Sequence, residues 1–141
     1  AARGDTVVVF GVGGICVNAI QGAAVEGATV IAIDSNPAKE AVARRFGASA
    51  FVLADPALDS SAAAAALAKA HGPIDTVVEC SGAVGAIETA LRCTKRGGRV
   101  VLIGMSRPGA EAAGSCTGGG GRGTEEVSEV AAGDDEHRCA R

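Results

Sequence analysis

Apolar and polar positions along the chain alternate between short apolar runs and longer segments with helical spacing. Residues 6–11, TVVVFG, lack polar alternation, which predicts a strand covered on both faces of a parallel sheet. Apolar residues then recur at helical spacing at Ile15, Ala19, Ile20, Ala23 and Ala24. Gly27 follows where a helix needs a left-handed stop. The chain therefore begins as strand, glycine-rich turn and helix.

The same alternation continues toward residue 103. It predicts strands at residues 29–33, 50–53, 76–79 and 99–103, and helices at residues 37–46, 60–71 and 83–92. Pro37 suits the first turn of its helix, because the N–H that proline lacks would have no helical partner there. Strands that alternate with helices predict an α/β fold, a Rossmann-type doubly wound parallel sheet with five recognisable strands.

The pattern stops after Ser106. Residues 107–141 contain eight glycines, and their only Ile, Leu, Val, Met or Phe residues are Val127 and Val130. Such a segment cannot bury a core. We therefore expect a Rossmann domain at residues 1–106 whose last strand is missing. We expect residues 107–141 to be a Gly-rich, acidic, low-complexity tail that is disordered or forms a fraying helix at residues 124–132.

Length and charge narrow the class of protein. A chain of 141 residues holds one domain, and the tail carries the whole net charge of −3. Residues 1–106 hold nine basic and nine acidic side chains, so we expect no surface for nucleic acid. No apolar stretch approaches the ~20 residues of a membrane span, and no signal peptide is recognisable. We expect a protein that binds neither nucleic acid nor membranes.

The cysteines and histidines predict no metal site. Five cysteines, an odd number, include no Cys-x-x-Cys pair and no His at ligand spacing. They are typical of reduced, mostly buried thiols in a cytoplasmic protein. His71 and His137 have no base, nucleophile or metal partner nearby in sequence. We therefore predict no catalytic residue.

The first turn carries most of a phosphate-binding fingerprint. Gly11 permits a tight turn, and Gly13 lets the backbone approach a pyrophosphate. Gly14 and Ile15 supply N–H donors at the start of the helix. Cys16 stands where the fingerprint has its third glycine or an alanine, which predicts looser packing or a lower affinity. The alternative is an ordinary turn between a strand and a helix.

Asp34 strengthens the nucleotide interpretation. It follows Gly11 by 23 positions and ends the second predicted strand, where a carboxylate accepts the adenosine ribose hydroxyls of a dinucleotide. The same carboxylate would repel the extra phosphate of NADP, so NAD is the expected cofactor. The alternative is a turn or capping residue before Asn36 and Pro37.

Small residues end the fourth and fifth predicted strands at the edge where open α/β sheets bind ligands. These residues, expected to line the nicotinamide end of the cofactor, are Cys80, Ser81, Gly82, Ile103, Gly104 and Met105. The alternative is strand termination by small residues, with Cys80 an inert buried thiol.

Over about residues 3–109 the chain resembles the cofactor domain of the medium-chain dehydrogenase/reductase family, zinc alcohol dehydrogenase type. The resemblance rests on residues 4–9, the turn at Gly11, Gly13 and Gly14, residues 18–22, Asp34 with Lys39, residues 46–48, residues 79–82 and residues 97–104. The amino-acid sequence of residues 18–23 is similar to that of the class III-like alcohol dehydrogenases.

The resemblance implies a role for each matching residue. Asp34 and Lys39 would hold the adenosine ribose, and the backbone of Gly13, Gly14 and Ile15 would hold the pyrophosphate. Cys80, Ser81, Ile103 and Met105 would surround the nicotinamide and its ribose. In this family, hydride passes between the nicotinamide and an alcohol or aldehyde held on a catalytic zinc.

The chain departs from the family in three places. The family pattern leads us to expect a catalytic domain with the zinc ligands before Ala1, which residues 1–141 do not include. Cys16 replaces the third glycine, and the family pattern ends after Gly109. An out-of-frame reading of GC-rich DNA is one hypothesis for that tail. We therefore expect an inactive fragment or truncated product of an NAD-dependent alcohol dehydrogenase, with zinc only in the absent domain.

Two alternatives stay open. One is a stand-alone, non-catalytic nucleotide-binding module. The other is a non-binding remnant whose open sheet edge leads to self-association into a homo-oligomer, because unpaired N–H and C=O groups invite another chain.

Overall fold

The computed structural model describes residues 1–105 and 128–131. Its strands are β1 (Thr6–Phe10), β2 (Thr29–Asp34), β3 (Ala50–Leu53), β4 (Ile74–Glu79), β5 (Thr94–Leu102) and β6 (Ser128–Ala131). Its helices are α1 (Gly14–Val25), α2 (Glu40–Arg45), α3 (Ser60–His71) and α4 (Val84–Cys93). The predicted elements up to residue 103 are thus confirmed, with ends that move by a few residues.

The six strands form one sheet in the order β3-β2-β1-β4-β5-β6. The first five are parallel, which confirms the predicted Rossmann-type, doubly wound sheet. The strand order reverses at β1, since the chain runs outward to β3 on one side and to β5 on the other. Ligands of open α/β sheets bind at the carboxyl ends of the strands beside such a reversal.

Both faces of the sheet are covered, because successive side chains of a strand point to opposite faces. On one face, Val8, Phe10 and Ile31 pack with α3 and α4 through residues such as Leu67 and Ala90. The other face packs on α1 and α2, and its core is Val7, Val9, Val12, Cys16, Ile20, Val30, Ala32, Ala43 and Ala48. This burial explains why β1 and β2 are continuous apolar runs.

The predicted second helix is divided in two. Pro37–Lys39 forms a 3₁₀ turn, which the Asn36 side chain caps by accepting from the Ala38 amide at 3.0 Å. The α-helix itself begins only at Glu40. The short Asn36 side chain reaches the backbone amide two residues further on, at Ala38. This hydrogen bond favours a separate turn at residues 37–39 over a continuous α-helix from Pro37.

The prediction of no further strand is wrong for residues 128–131. These residues pair antiparallel with β5, with Val130 opposite Val100. A helix at residues 124–132 is wrong over the same four residues. The physical reason is that the open edge of β5 presents unpaired N–H and C=O groups, which a segment can satisfy without burying a core of its own. The other predictions for the tail lie outside the described residues.

Among the helices of residues 1–105, none is both long enough and apolar enough to cross a membrane.

Candidate functional site

The glycine turn leads from β1 straight into α1. Gly11 has φ +97°, a left-handed conformation that residues with a side chain rarely adopt, and its amide donates to the Ile33 carbonyl at 2.7 Å. Gly13 precedes α1 without any side-chain cap. A Cβ built on Gly14 would meet nothing within 4 Å. The start of α1 therefore has exposed space beside Gly14 and no side-chain cap, as an anion site at a helix N-terminus requires.

Asp34 lies directly beside this turn. Its Oδ2 accepts from the Val12 amide at 2.8 Å, and its Oδ1 accepts from the Asn36 amide at 2.9 Å. The carboxylate is half-buried at the carboxyl end of β2. The structure thus brings Asp34 and the glycine turn together, as their spacing predicted. Lys39 is half-buried at the end of the 3₁₀ turn that follows.

The ends of β4 and β5 meet on the other side of β1. The amides of Ile103 and Gly104 both donate to the Glu79 carbonyl, at 2.8 and 3.0 Å. A Cβ on Gly82 would lie 2.2 Å from the Met105 carbonyl oxygen, and one on Gly104 would lie 2.1 Å from the Gly82 nitrogen. Because only glycines permit this approach, the two loops form one backbone surface at the sheet edge.

Glu79 holds the loop after β4 in place, a role that the sequence did not predict although residue 79 belongs to the motif at residues 79–82. Its side chain is fully buried. Its Oε1 accepts from the Ser81 amide at 2.7 Å, from the Ser81 hydroxyl and from the Gly82 amide at 3.0 Å. One carboxylate oxygen thus holds three donors of the loop after β4. The available signal was an acidic residue that ends an apolar strand and is followed by Ser and Gly.

Cys16 packs beneath the glycine turn. Its side chain is buried in the core, and its Sγ lies 3.1 Å from the place where a Cβ of Gly11 would stand. The thiol thus occupies space that the missing side chain of Gly11 leaves. Cys80 follows β4, and its amide donates to the Phe10 carbonyl at 3.1 Å. Both cysteines belong to the same apolar cluster.

A cavity of about 670 Å³ opens beside the turn, between the ends of β1 to β3 and the helices α3 and α4. Three of the predicted site residues, Gly11, Asp34 and Ser81, lie on its wall. The rest of the wall is largely apolar, with Ile33, Val52, Leu53, Ala54, Pro56, Leu58, Ala63 and Leu67 among its residues. The sequence reading did not anticipate this apolar wall, because its members come from separate segments.

The remaining predicted residues lie around the turn and the two loops. Ile15 is exposed at the start of α1, and Met105 is 89% exposed beyond β5. Within residues 1–105, no three His, Cys, Asp or Glu side chains lie close enough together to hold a metal ion.

Comparison with known proteins gives the family. Residues 14–117 match the model of the zinc-binding dehydrogenases. The chain is 37% identical over 106 residues to alcohol dehydrogenase 2 of Zea mays, covering 74% of this chain and 28% of that protein. It is 36% identical over 113 residues to S-(hydroxymethyl)glutathione dehydrogenase of Saccharomyces cerevisiae, covering 77% of this chain and 29% of that protein.

Solved structures agree with this match. Alcohol dehydrogenase TADH from Thermus sp. ATN1 superposes with a TM-score of 0.65 at 27% identity, over 78% of this chain and 32% of that one. The alcohol dehydrogenase zinc-binding domain protein from Burkholderia ambifaria shares the fold, with a TM-score of 0.70 at 24% identity, over 79% of this chain and 30% of that one. The chain spans less than a third of the length of each of these four proteins. Since the family model covers most of its residues, the chain belongs to the zinc-binding dehydrogenase family.

Proposed function

We propose that residues 1–106 are the NAD(H)-binding domain of an NAD-dependent alcohol dehydrogenase, of which this chain is one part. The contact between the Asp34 carboxylate and the Val12 amide, at 2.8 Å, carries the proposal. It places a carboxylate, which can accept hydrogen bonds from ribose hydroxyls, beside a turn at the start of a helix, where amides can bind a pyrophosphate.

Different residues of the site bind different parts of the dinucleotide. The backbone of Gly13, Gly14 and Ile15 holds the pyrophosphate, because no side chain caps α1 and a Cβ on Gly14 would meet nothing. Asp34 and Lys39 bind the adenosine ribose. The adjoining apolar cavity suits the flat adenine ring, which gains by leaving water.

The loops after β4 and β5 hold the nicotinamide end of NAD. Their residues are Cys80, Ser81, Gly82, Ile103, Gly104 and Met105. The backbone contact between Gly82 and Met105 supports this role, since it gives a rigid surface at the carboxyl edge of the sheet. When bound, NAD would supply hydride transfer to or from an alcohol or aldehyde, and these residues would hold and orient its nicotinamide end.

The substrate end of the reaction belongs to another part of the enzyme. The described residues offer no ligand set for zinc, so they do not fit that ion. We place the catalytic zinc and the alcohol pocket in a separate catalytic domain. The cysteine pattern, without a Cys-x-x-Cys pair, supports a cytoplasmic location.

Titration of the full chain with NADH, followed by nucleotide fluorescence, tests the proposal. We expect saturable binding that weakens roughly 10- to 100-fold in Asp34→Asn, because hydrogen bonds to a charged group contribute about 1.5–3 kcal/mol. NADPH should bind more weakly than NADH to the wild type, and this difference should shrink in the variant.

Asp5→Asn is the matched control. Asp5 precedes β1 at the opposite edge of the sheet and accepts from the Ala2 amide at 2.7 Å. It should leave the affinity unchanged. A wild-type chain that is folded by circular dichroism but shows no saturable NADH binding would refute the proposed function.

A further inference from the structure

Two cysteine side chains meet beneath the phosphate-binding turn. Phe10 and Glu79 are the last pair in the parallel ladder of β1 and β4, and the amide of Cys80, the next residue, donates to the Phe10 carbonyl at 3.1 Å. Cys80 packs against the apolar cluster that contains Cys16, whose Sγ lies 3.1 Å from the place where a Cβ of Gly11 would stand.

The surroundings of the two thiols make them unequal. The pKa of Cys16 is lowered, and its hydrogen bond with the Cys80 thiol is the largest cause. Backbone hydrogen bonds at Gly13 and Cys16 lower it further. Burial and the charge of Glu79 oppose this effect. The pKa of Cys80 is raised, first by its interaction with Cys16 and then by burial. The two directions make Cys16 the more acidic thiol of the pair.

Cys93 provides an internal contrast. It ends α4 and is buried in the apolar cluster on the opposite face of the sheet. Burial raises the pKa of Cys93 to about 11. Cys93 is as deeply buried as Cys16, so the two thiols differ in the direction of their pKa shifts and in the presence of a neighbouring thiol, and not in burial.

We propose that Cys16 and Cys80 form a redox-active dithiol, that a hydroperoxide oxidises it to an intrachain disulfide, and that the disulfide weakens dinucleotide binding. The last part rests on the proposed function. The first two parts do not.

The chemistry balances with hydrogen peroxide as oxidant. The Cys16 thiolate attacks one peroxide oxygen, the O–O bond breaks, and the hydroxide released takes up a proton to form water. The Cys80 thiol then attacks the sulfenic sulfur, the S–S bond forms, and the hydroxyl leaves as water with the Cys80 proton. Two thiols lose two electrons, and one peroxide is reduced to two water molecules.

The disulfide affects the anion site because Cys16 lies in the first turn of α1. Gly14 and Ile15, which hold the pyrophosphate under the proposed function, directly precede it. An S–S bond of about 2.05 Å ties this turn to the end of β4 and fixes the donors in the oxidised geometry. A bound pyrophosphate in turn disfavours the thiolate of Cys16 by charge repulsion. Binding and oxidation therefore oppose each other, as linkage requires.

Disulfide mapping tests the dithiol itself. The reduced full chain is treated with hydrogen peroxide, alkylated, digested without reductant and analysed by mass spectrometry. We expect a linked peptide pair that contains Cys16 and Cys80, while Cys93 is alkylated. Oxidation that leaves Cys16 and Cys80 both alkylated, or that joins either of them to another cysteine, would overturn the proposal.

NADH titration of the reduced and oxidised chains tests the effect on binding. We expect the oxidised chain to bind roughly tenfold more weakly, within the usual range for coupled sites, and dithiothreitol to restore the affinity. Saturating NADH should slow disulfide formation. Cys16→Ala, a residue that the fingerprint tolerates, should bind NADH with no response to peroxide. Cys93→Ser is the control and should respond as the wild type does.

The outcomes separate the two proposals. If the reduced chain fails to bind NADH, the proposed function fails, whereas the linked peptide still decides whether the dithiol exists. If the reduced chain binds and the disulfide forms without changing the affinity, the regulatory part is wrong.

Discussion

At the scale of single residues, two glycines set how closely the loops after β4 and β5 approach. Gly82 has φ +69°, and its α-carbon faces the Met105 backbone. Gly104 likewise faces the Gly82 nitrogen. Any Cβ here must push one loop away from the other, so the side of the site that we assign to nicotinamide depends on both residues.

Gly82→Ala should therefore lower the free energy of unfolding by at least ~2 kcal/mol, since the added Cβ lies 2.2 Å from the Met105 oxygen and the left-handed φ is strained. Urea unfolding followed by circular dichroism measures the change. Gly85→Ala is the control, because a Cβ at this position of α4 meets nothing within 4 Å. It should leave the stability within ~1 kcal/mol of the wild type. Equal stability of the two variants would contradict the close approach.

The residue scale also shows which site residues are predictable. The meeting of Asp34 with the turn at Gly11 was predicted from their spacing, and the structure confirms that they are adjacent. The role of Glu79 was not predicted, because a buried acidic residue can be understood only once the three donors from which it accepts have been located.

At the scale of elements, side chains near the ends of helices decide where the helices begin. Asp59 caps α3, and its Oδ1 accepts from the Ala62 amide at 2.8 Å. Asp59→Ala should lower the free energy of unfolding by ~1 kcal/mol, while Asp59→Asn keeps an acceptor and should cost a few tenths. Thermal and urea unfolding of both variants measure this. A loss in Asp59→Asn as large as that in Asp59→Ala would argue against capping.

A second contact joins the starts of three strands. Asp75 of β4 accepts from the Thr6 amide at the start of β1, at 2.8 Å, and forms an ion pair with Lys95 of β5. Two hydrogen bonds hold the pKa of Asp75 below its usual value of 3.8. The bond from Lys95 has the larger effect, and the bond from the Thr6 amide has the next largest. A carboxyl whose pKa is lower in the folded state than in the unfolded state stabilises the fold above the unfolded pKa.

The stability difference between the wild type and Asp75→Asn should therefore depend on pH. It should be complete above about pH 4 and should disappear as the pH falls through the lowered pKa of the folded state. Urea unfolding at pH 7 and at pH 3 tests this expectation. In a Lys95→Met background the difference at pH 7 should be smaller. A difference that stays constant down to pH 3 would show that Asp75 acts without its charge.

At the scale of the whole molecule, β6 covers one edge of the sheet. Residues 99–102 of β5 pair with residues 128–131. An unpaired edge of this length is a template for association with another chain. The short antiparallel strand therefore protects β5.

Val130→Pro should weaken this pairing, because proline has no N–H to donate and is poorly tolerated within a sheet. Hydrogen exchange of the amides at residues 99–102 should become faster, and sedimentation should show more self-association. Val130→Ala keeps the backbone N–H and serves as the control. Unchanged exchange in the proline variant would mean that β6 does not protect β5.

The sequence alone was sufficient for the order of the elements up to residue 103, for the parallel sheet and for the glycine turn with Asp34. These features depend on periodicity and on backbone conformations that neighbouring residues encode. The tertiary structure alone decided the burial of Glu79, the meeting of Cys16 with Cys80 and the pairing of residues 128–131 with β5. Each of these depends on groups that local periodicity does not relate. Glu79 is buried because three donors of the following loop surround its carboxylate. Cys16 occupies space that the missing side chain of Gly11 leaves. Residues 128–131 pair with β5 because the backbone groups at its edge are otherwise unsatisfied.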